Sequence, residues 1–207
     1  MSWKNVLKIL CGFVAVIFTI TSIGRNIENA ACTYRQTEMT GIDYSCHSLL
    51  YGVSGRQYYI DSSATAYRTA VTTAVSNWNL SSSNVSFSEA TSQGQGTIKF
   101  YSGTISEPNS PGQTIMYSSS TTYNPSTSSW PNAKIIMSSS LFPSMSAVKQ
   151  RGTCAHEFGH AIGLNHMLRL SGTTAYFDAT WIMTPYASRT GYTVDAYAAD
   201  VVDAHLY

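Results

Sequence analysis

Thr153-Cys-Ala-His-Glu-Phe-Gly-His-Ala-Ile-Gly-Leu-Asn-His166 sets His156, Glu157, His160, Gly163 and His166 in the order HExxHxxGxxH. On a helix, residues four apart lie one above the other, so His156 and His160 present two imidazole nitrogens on one face. One zinc ion can meet both at about 2.0–2.1 Å. Glu157 then points into the space beside the metal, where an unligated carboxylate accepts a proton from a water whose pKa zinc lowers to about 7. That is the place of a general base. A straight continuation of the helix would carry residue 166 away from the ion. Gly163, without a Cβ, can take the left-handed conformation that ends a helix and turns the chain back, bringing His166 to the same metal. Three neutral imidazoles leave a fourth position open to water, as a catalytic site requires. The bland alternative is an amphipathic helix with surface or core histidines. It must explain five fixed positions that hold three of the chain's five histidines.

Working outward from this run, Gln57 to Asp61 reads as a first strand, followed by a helix over 66–79. There Ala66, Ala70, Ala74, Val75 and Trp78 recur at helical spacing after a capping Asp61-Ser-Ser. Strands are expected at Val85 to Glu89, at Thr97 to Tyr101 after the Gly-rich turn Gln93 to Gly96, at Thr114 to Tyr117 and at Lys134 to Met137. The metal-binding helix is expected from Met145 to Leu164 and a last packed helix from Val194 to Tyr207. The serine runs at 81–83, 118–120 and 138–140 read as solvated loops, and none has the Gly-x-Ser-x-Gly setting of a nucleophile.

The extended motif resembles that of the metzincin clan of zinc endopeptidases. A second clan mark follows in Ile182-Met183-Thr184-Pro185-Tyr186, where Met183 matches the methionine of the tight turn beneath the zinc and Pro185 resembles the Met-x-Pro of matrixins. The resemblance covers roughly Tyr51 to Tyr207. It implies an α+β fold with a twisted mixed sheet of about five strands, a long zinc-binding helix, a packing helix and a C-terminal helix. It also implies one zinc per chain on His156, His160 and His166, Glu157 as catalytic base, and a peptide substrate lying along the edge strand at Ile115, Met116 and Tyr117. Departures are informative. Ser102 to Gln113, where matrixins hold a second zinc and calcium, has Glu107 as its sole acid and no histidine, so no second metal is expected. Met167 stands where matrixins have serine. Pro185 occupies the position at which astacins and serralysins place a metal-binding tyrosine, and Tyr186, one residue later, reads as a packed or rim side chain.

The chain has 207 residues, 11% of them charged, and a net charge of +1. With so few cations, nucleic acid is not an expected partner. Lys4 and Lys8 precede an apolar stretch from Ile9 to Ile23, the form of a secretory signal, with an uncleaved anchor as the competing reading. The expected organisation is therefore 1–30 signal or anchor, 31–50 a short segment, and 51–207 the metalloprotease domain, facing outward from the cell in either case. Cys11 lies in the signal. Of the rest, Cys32 with Cys46 is the simplest disulfide by sequence, while Cys154 either pairs with one of them or is a buried thiol. Latency through an N-terminal cysteine is weighed down by the missing matrixin switch sequence. Two sequons, Asn79-Leu-Ser81 and Asn84-Val-Ser86, matter only in a glycosylating host. The functional expectation is a secreted zinc metalloendopeptidase; the rival is a catalytically silent extracellular metal-binding or adhesive module, which the retained Glu157 speaks against.

Overall fold

The computed structural model describes residues 47–207 apart from 126, 168, 172–173, 186–188 and 204–206. The signal, Cys32, Cys46, Tyr186 and His205 lie outside the described residues.

The fold is α+β. Strands β1 (Arg56–Ile60), β2 (Phe87–Glu89), β3 (Ile98–Gly103), β4 (Gly112–Ser118), β5 (Thr121–Thr122) and β6 (Asn132–Ser138) form one mixed sheet in the order β2-β1-β3-β6-β4-β5. The first four in that order run parallel, and β4 is antiparallel to both β6 and β5. A separate hairpin, β7 (Arg169–Ser171) with β8 (Thr174–Tyr176), follows the histidine run. Among the described residues there are three α-helices: α1 (Arg68–Ser81), α2 (Ala147–Ile162) and α3 (Ala196–Val201).

Period-two burial fixes which face of the sheet meets the helices. Ile98 and Phe100 of β3 and Ala133, Ile135 and Met137 of β6 are fully buried, alternating with half-exposed neighbours. α1 and α2 cover this face. Phe158 of α2 stacks on Phe100 with ring centroids 6.4 Å apart and meets Phe87 edge-on at 5.1 Å. Two buried indoles also bind α2 through its backbone: Trp78 Nε1 donates to the Ala155 carbonyl at 2.8 Å and Trp130 Nε1 to the Ala161 carbonyl at 2.9 Å. The helix that carries the motif is thus held from both ends of the core.

The structure departs from the sequence reading at several elements. The sheet has six strands, not about five, because Thr121–Thr122 fold back on Ser118 and Tyr117 through a two-residue turn in which Ser119 has φ 52°. The β7–β8 hairpin was not expected. The first helix is entered through a 3-10 turn, Ser62–Tyr67, whose cap is Asp61, accepting from the Ser63 N–H at 2.9 Å. Only then does α1 begin, at Arg68 rather than Ala66. The last helix spans Ala196–Val201, starting two residues after the expected Val194, and 204–206 of its expected range lie outside the described residues. Asp203, two residues on, reaches the 82–84 loop, where its carboxylate accepts from the Ser83 N–H at 2.9 Å and the Asn84 N–H at 3.1 Å. The serine runs are not plain loops either, since Ser82 and Ser138 are buried. Both sequon asparagines have structural work: Asn79 brackets Phe87 with a donated and an accepted bond, and the Asn84 amide donates to the Asp203 and Tyr207 carbonyls. Cys154 is a free, buried thiol with Sγ 3.6 Å from Met137 Sδ. Burial pushes its pKa up, so it is held protonated. Among the described residues no helix is long and apolar enough to cross a membrane.

Candidate metal centre

α2 begins at Ser146, whose hydroxyl accepts from the Lys149 N–H, and ends at Gly163 with φ 120° and ψ 3°. That backbone conformation is one L side chains rarely adopt, so glycine is what allows the sharp exit. The Leu164 N–H closes the end on the Gly159 carbonyl at 2.9 Å. The turned-back chain brings His166 opposite His156 and His160. His156 Nε2 lies 3.1 Å from His160 Nε2 and 3.2 Å from His166 Nε2. Ligands at about 2.05 Å around a tetrahedral zinc stand about 3.3 Å apart, so the three nitrogens fit such an ion. Among the described residues this is the one group of three or more His, Cys, Asp or Glu placed to hold a metal.

The opposite ring nitrogens fix the tautomer. His156 Nδ1 lies 2.6 Å from the Ile182 carbonyl and His160 Nδ1 2.8 Å from the Leu164 carbonyl. A carbonyl only accepts, so each Nδ1 carries the proton and each Nε2 offers its lone pair inward. Burial also holds all three imidazoles neutral: His156 well below its ordinary pKa, His160 at about 3, His166 lowered too, with neighbouring positive charges adding to the effect. Neutral imidazole is the form that binds a metal.

Ile182 is held in turn. Its N–H donates to Asp195 Oδ2 at 2.8 Å, while Asp195 Oδ1 caps α3 by accepting from the Ala198 N–H at 2.9 Å. The next residue, Met183, is fully buried against Gly159, and its carbonyl accepts from the Met167 N–H at 3.1 Å. The turn after the hairpin therefore supports α2 from below and sets the orientation of its first histidine.

Glu157 lies on the same helix face, buried. Burial pushes its carboxyl up to about 7, against the opposing pull of the Thr114 hydroxyl and the Arg189 charge. Thr114 Oγ1 is 2.7 Å from Glu157 Oε2 and 2.9 Å from its main-chain carbonyl, which ties strand β4 to the helix at the carboxylate. Gly112 is needed for that approach, since a Cβ there would lie 2.8 Å from Glu157 Cγ.

A cavity of about 570 Å³ joins these parts, lined by the three histidines, Glu157, Thr153, Gly112 to Met116, Pro185 and Arg189 among others. Ile115 and Met116 line the cavity. Tyr117 does not line it. That residue is paired with Asn132 on one side and Thr122 on the other, and the Met116 carbonyl already accepts from the Tyr123 N–H. Among the described residues, the stretch of β4 with a strand partner on one side only is Gly112 to Ile115, because β5 covers the far end. β6 is interior to the sheet, between β3 and β4. Thr114, Asp195 and Arg189 were not singled out from sequence, and nothing local marks them: each matters through a contact made far along the chain.

No family model matches this chain, and no curated protein matches it in sequence. Among solved structures it is similar to a crystal structure of myroilysin, with 13% identity over 76% of this chain and 86% of that one and a TM-score of 0.49. It is also similar to a second structure of myroilysin, with 13% identity over 85% and 95% and a TM-score of 0.43.

Proposed function

We propose that the protein is a zinc-dependent endopeptidase of metzincin type, exported from the cell. The observation that carries this reading is the convergence of three Nε2 atoms, their tautomers set by carbonyls, beside a buried carboxylate at the same cavity. Bound zinc would supply a Lewis acid that polarises the scissile carbonyl and makes a water acidic near neutral pH.

The chain's own residues do the rest. Glu157 takes a proton from the attacking water at one carboxylate oxygen and passes it to the leaving amine, a role suited to a group whose pKa lies near 7. Thr114 donates to Glu157 Oε2 and so orients the carboxylate. The open edge of β4 from Gly112 to Ile115 accepts the substrate backbone as an added strand, which positions a peptide bond without reading its side chains. His156, His160 and His166 hold one zinc per chain, and peptide or protein is the partner. Export follows from the signal-like N-terminus, with residues 51–207 as the catalytic domain.

Glu157→Gln tests the assignment. The variant should bind zinc with its ligands intact and lose casein hydrolysis by several orders of magnitude. Turnover within tenfold of the parent protein would overturn the role given to Glu157. His160→Ala should lose metal and activity together.

A further inference from the structure

The sheet has a second face, turned away from α1 and α2. On β3 and β6 the core residues Ile98, Phe100, Ala133 and Ile135 alternate with Lys99, Tyr101, Lys134 and Ile136, which are half-buried on this outer side. Lys99 and Lys134 are register partners on neighbouring strands, which in a sheet lie about 4.8 Å apart, so two ammonium-bearing stems leave the surface side by side. Like charges so placed repel. Neither lysine is in an ion pair, and among the described residues no acid lines the cleft of about 500 Å³ that they share with Tyr101 and Tyr117. Both rings are held in place. Gln93 Nε2 donates to the Tyr101 hydroxyl at 2.7 Å, and Lys99 Nζ stands 5.6 Å from the centre of the Tyr117 ring.

Paired cations without counter-charge call for an anion, and the setting narrows its kind. β3 and β6 are interior strands, paired on both sides, so a peptide cannot be added here as a strand. Nucleic acid needs a run of cations along its phosphates, and the cleft has two, on a chain of net charge +1. What remains is a ligand held by side chains alone. It needs an anionic group for the lysines, a flat face for the fixed rings, and hydroxyls for a polar rim that includes Gln93, Thr104 and Ser119. A sugar acid has all three. We infer that the outer face of the sheet binds an acidic polysaccharide, with uronate carboxylates on Lys99 and Lys134 and sugar rings against Tyr101 and Tyr117. The cleft shares no lining residue with the histidine cavity, so a bound glycan leaves that cavity free, and binding there is independent of the peptidase reading.

Titration calorimetry of the protein with polygalacturonate oligosaccharides, with their methyl-esterified counterparts and with poly-glutamate tests this. The acid should bind, and more weakly as salt is raised. The ester, with the same rings and no charge, should bind about tenfold more weakly or worse, and the Lys99→Gln/Lys134→Gln double variant should lose affinity for the acid to the same degree. That variant relieves a repulsion, so urea unfolding should show it no less stable than the parent protein. Tyr101→Ala should lose about fivefold with the charges untouched, the size of an aromatic contact. The comparison of acid with ester uses the unaltered protein, so it decides the matter even where a variant folds poorly. Equal binding of acid and ester, or no binding of either, would overturn the inference. Poly-glutamate held as tightly as the glycan would overturn it too, in favour of an acidic peptide partner.

Discussion

Replacing Gly159 with alanine should destabilise the protein even though alanine is the better helix former. Gly159 is in the body of α2, where alanine gains about 1 kcal/mol over glycine. Here the new Cβ would overlap Met183 Sδ and lie 3.1 Å from Met183 Cε and 3.2 Å from Trp78 Cζ2. Met183 and Trp78 are fully buried, so neither can swing into solvent. Overpacking of this kind costs about 1–3 kcal/mol. With the overlap falling on the sulfur itself, the net loss should be about 1–2 kcal/mol after the helix gain is subtracted. Met183→Ala alone removes a buried side chain and should cost about 2–5 kcal/mol. In that background the obstacle is gone, so adding Gly159→Ala should stabilise by about 1 kcal/mol. Urea unfolding of the four zinc-free proteins measures the cycle, and the expected coupling is about 2–3 kcal/mol. If Gly159→Ala stabilises the parent protein, or has the same sign in both backgrounds, Met183 is not seated against the helix as described.

Gly112→Ala should cut hydrolysis at least tenfold with zinc content unchanged, because the added Cβ would lie 2.8 Å from Glu157 Cγ and 3.0 Å from Oε1; parent-level kcat with full zinc would refute this. Asp195→Ala should weaken zinc binding about tenfold and cost about 1–3 kcal/mol, since Ile182 and the start of α3 both lose their acceptor, and competition with a chelator together with thermal unfolding checks it. Asp203 is pushed up by partial burial, but the Ser82, Ser83 and Asn84 donors outweigh this and hold its pKa below the ordinary carboxylate value. A depressed folded-state pKa stabilises above the unfolded value and loses that contribution as pH falls through the folded one. The stability gap between the parent and Asp203→Asn should therefore be flat from pH 7 to about 5 and shrink below about 4; a gap that grows on acidification would reverse the assignment.

The histidine run was legible because its constraints are local. His156 and His160 are one helical turn apart, and Gly163 ends the helix three residues later. Strands with clean alternation, such as β3 and β6, were legible for the same reason. Thr121–Thr122 carry no alternation at all and become a strand only because Ser119 adopts a positive φ and folds them onto β4. The tie from Asp203 to the 82–84 loop was hidden because apolar spacing marks a helix face and says nothing of a carboxylate answering donors some 120 residues away. Thr114 was passed over in favour of its neighbours for a related reason. Strand periodicity gives the face on which a residue lies and says nothing of the helix carboxylate waiting there. Arg189 read as one of a handful of cations, and its importance comes from burial, which composition does not report.

Tyr207 joins distant parts of the chain at one hydroxyl. Its Oη accepts from the Leu49 N–H at 2.9 Å and donates to the Ile162 carbonyl at 2.7 Å, just before the exit of α2 at Gly163. Leu49 is made 158 residues before its partner, and a ribosome adding about 5–20 residues per second leaves that segment waiting for roughly ten seconds or more. The helix bearing His156 and His160 can form in the interval, yet its last turn lacks its lock and His156 lacks the Ile182 carbonyl. Order of synthesis thus builds a delay into this fold: the three-histidine centre gains these supports only after Ile182 and Tyr207 have followed the helix.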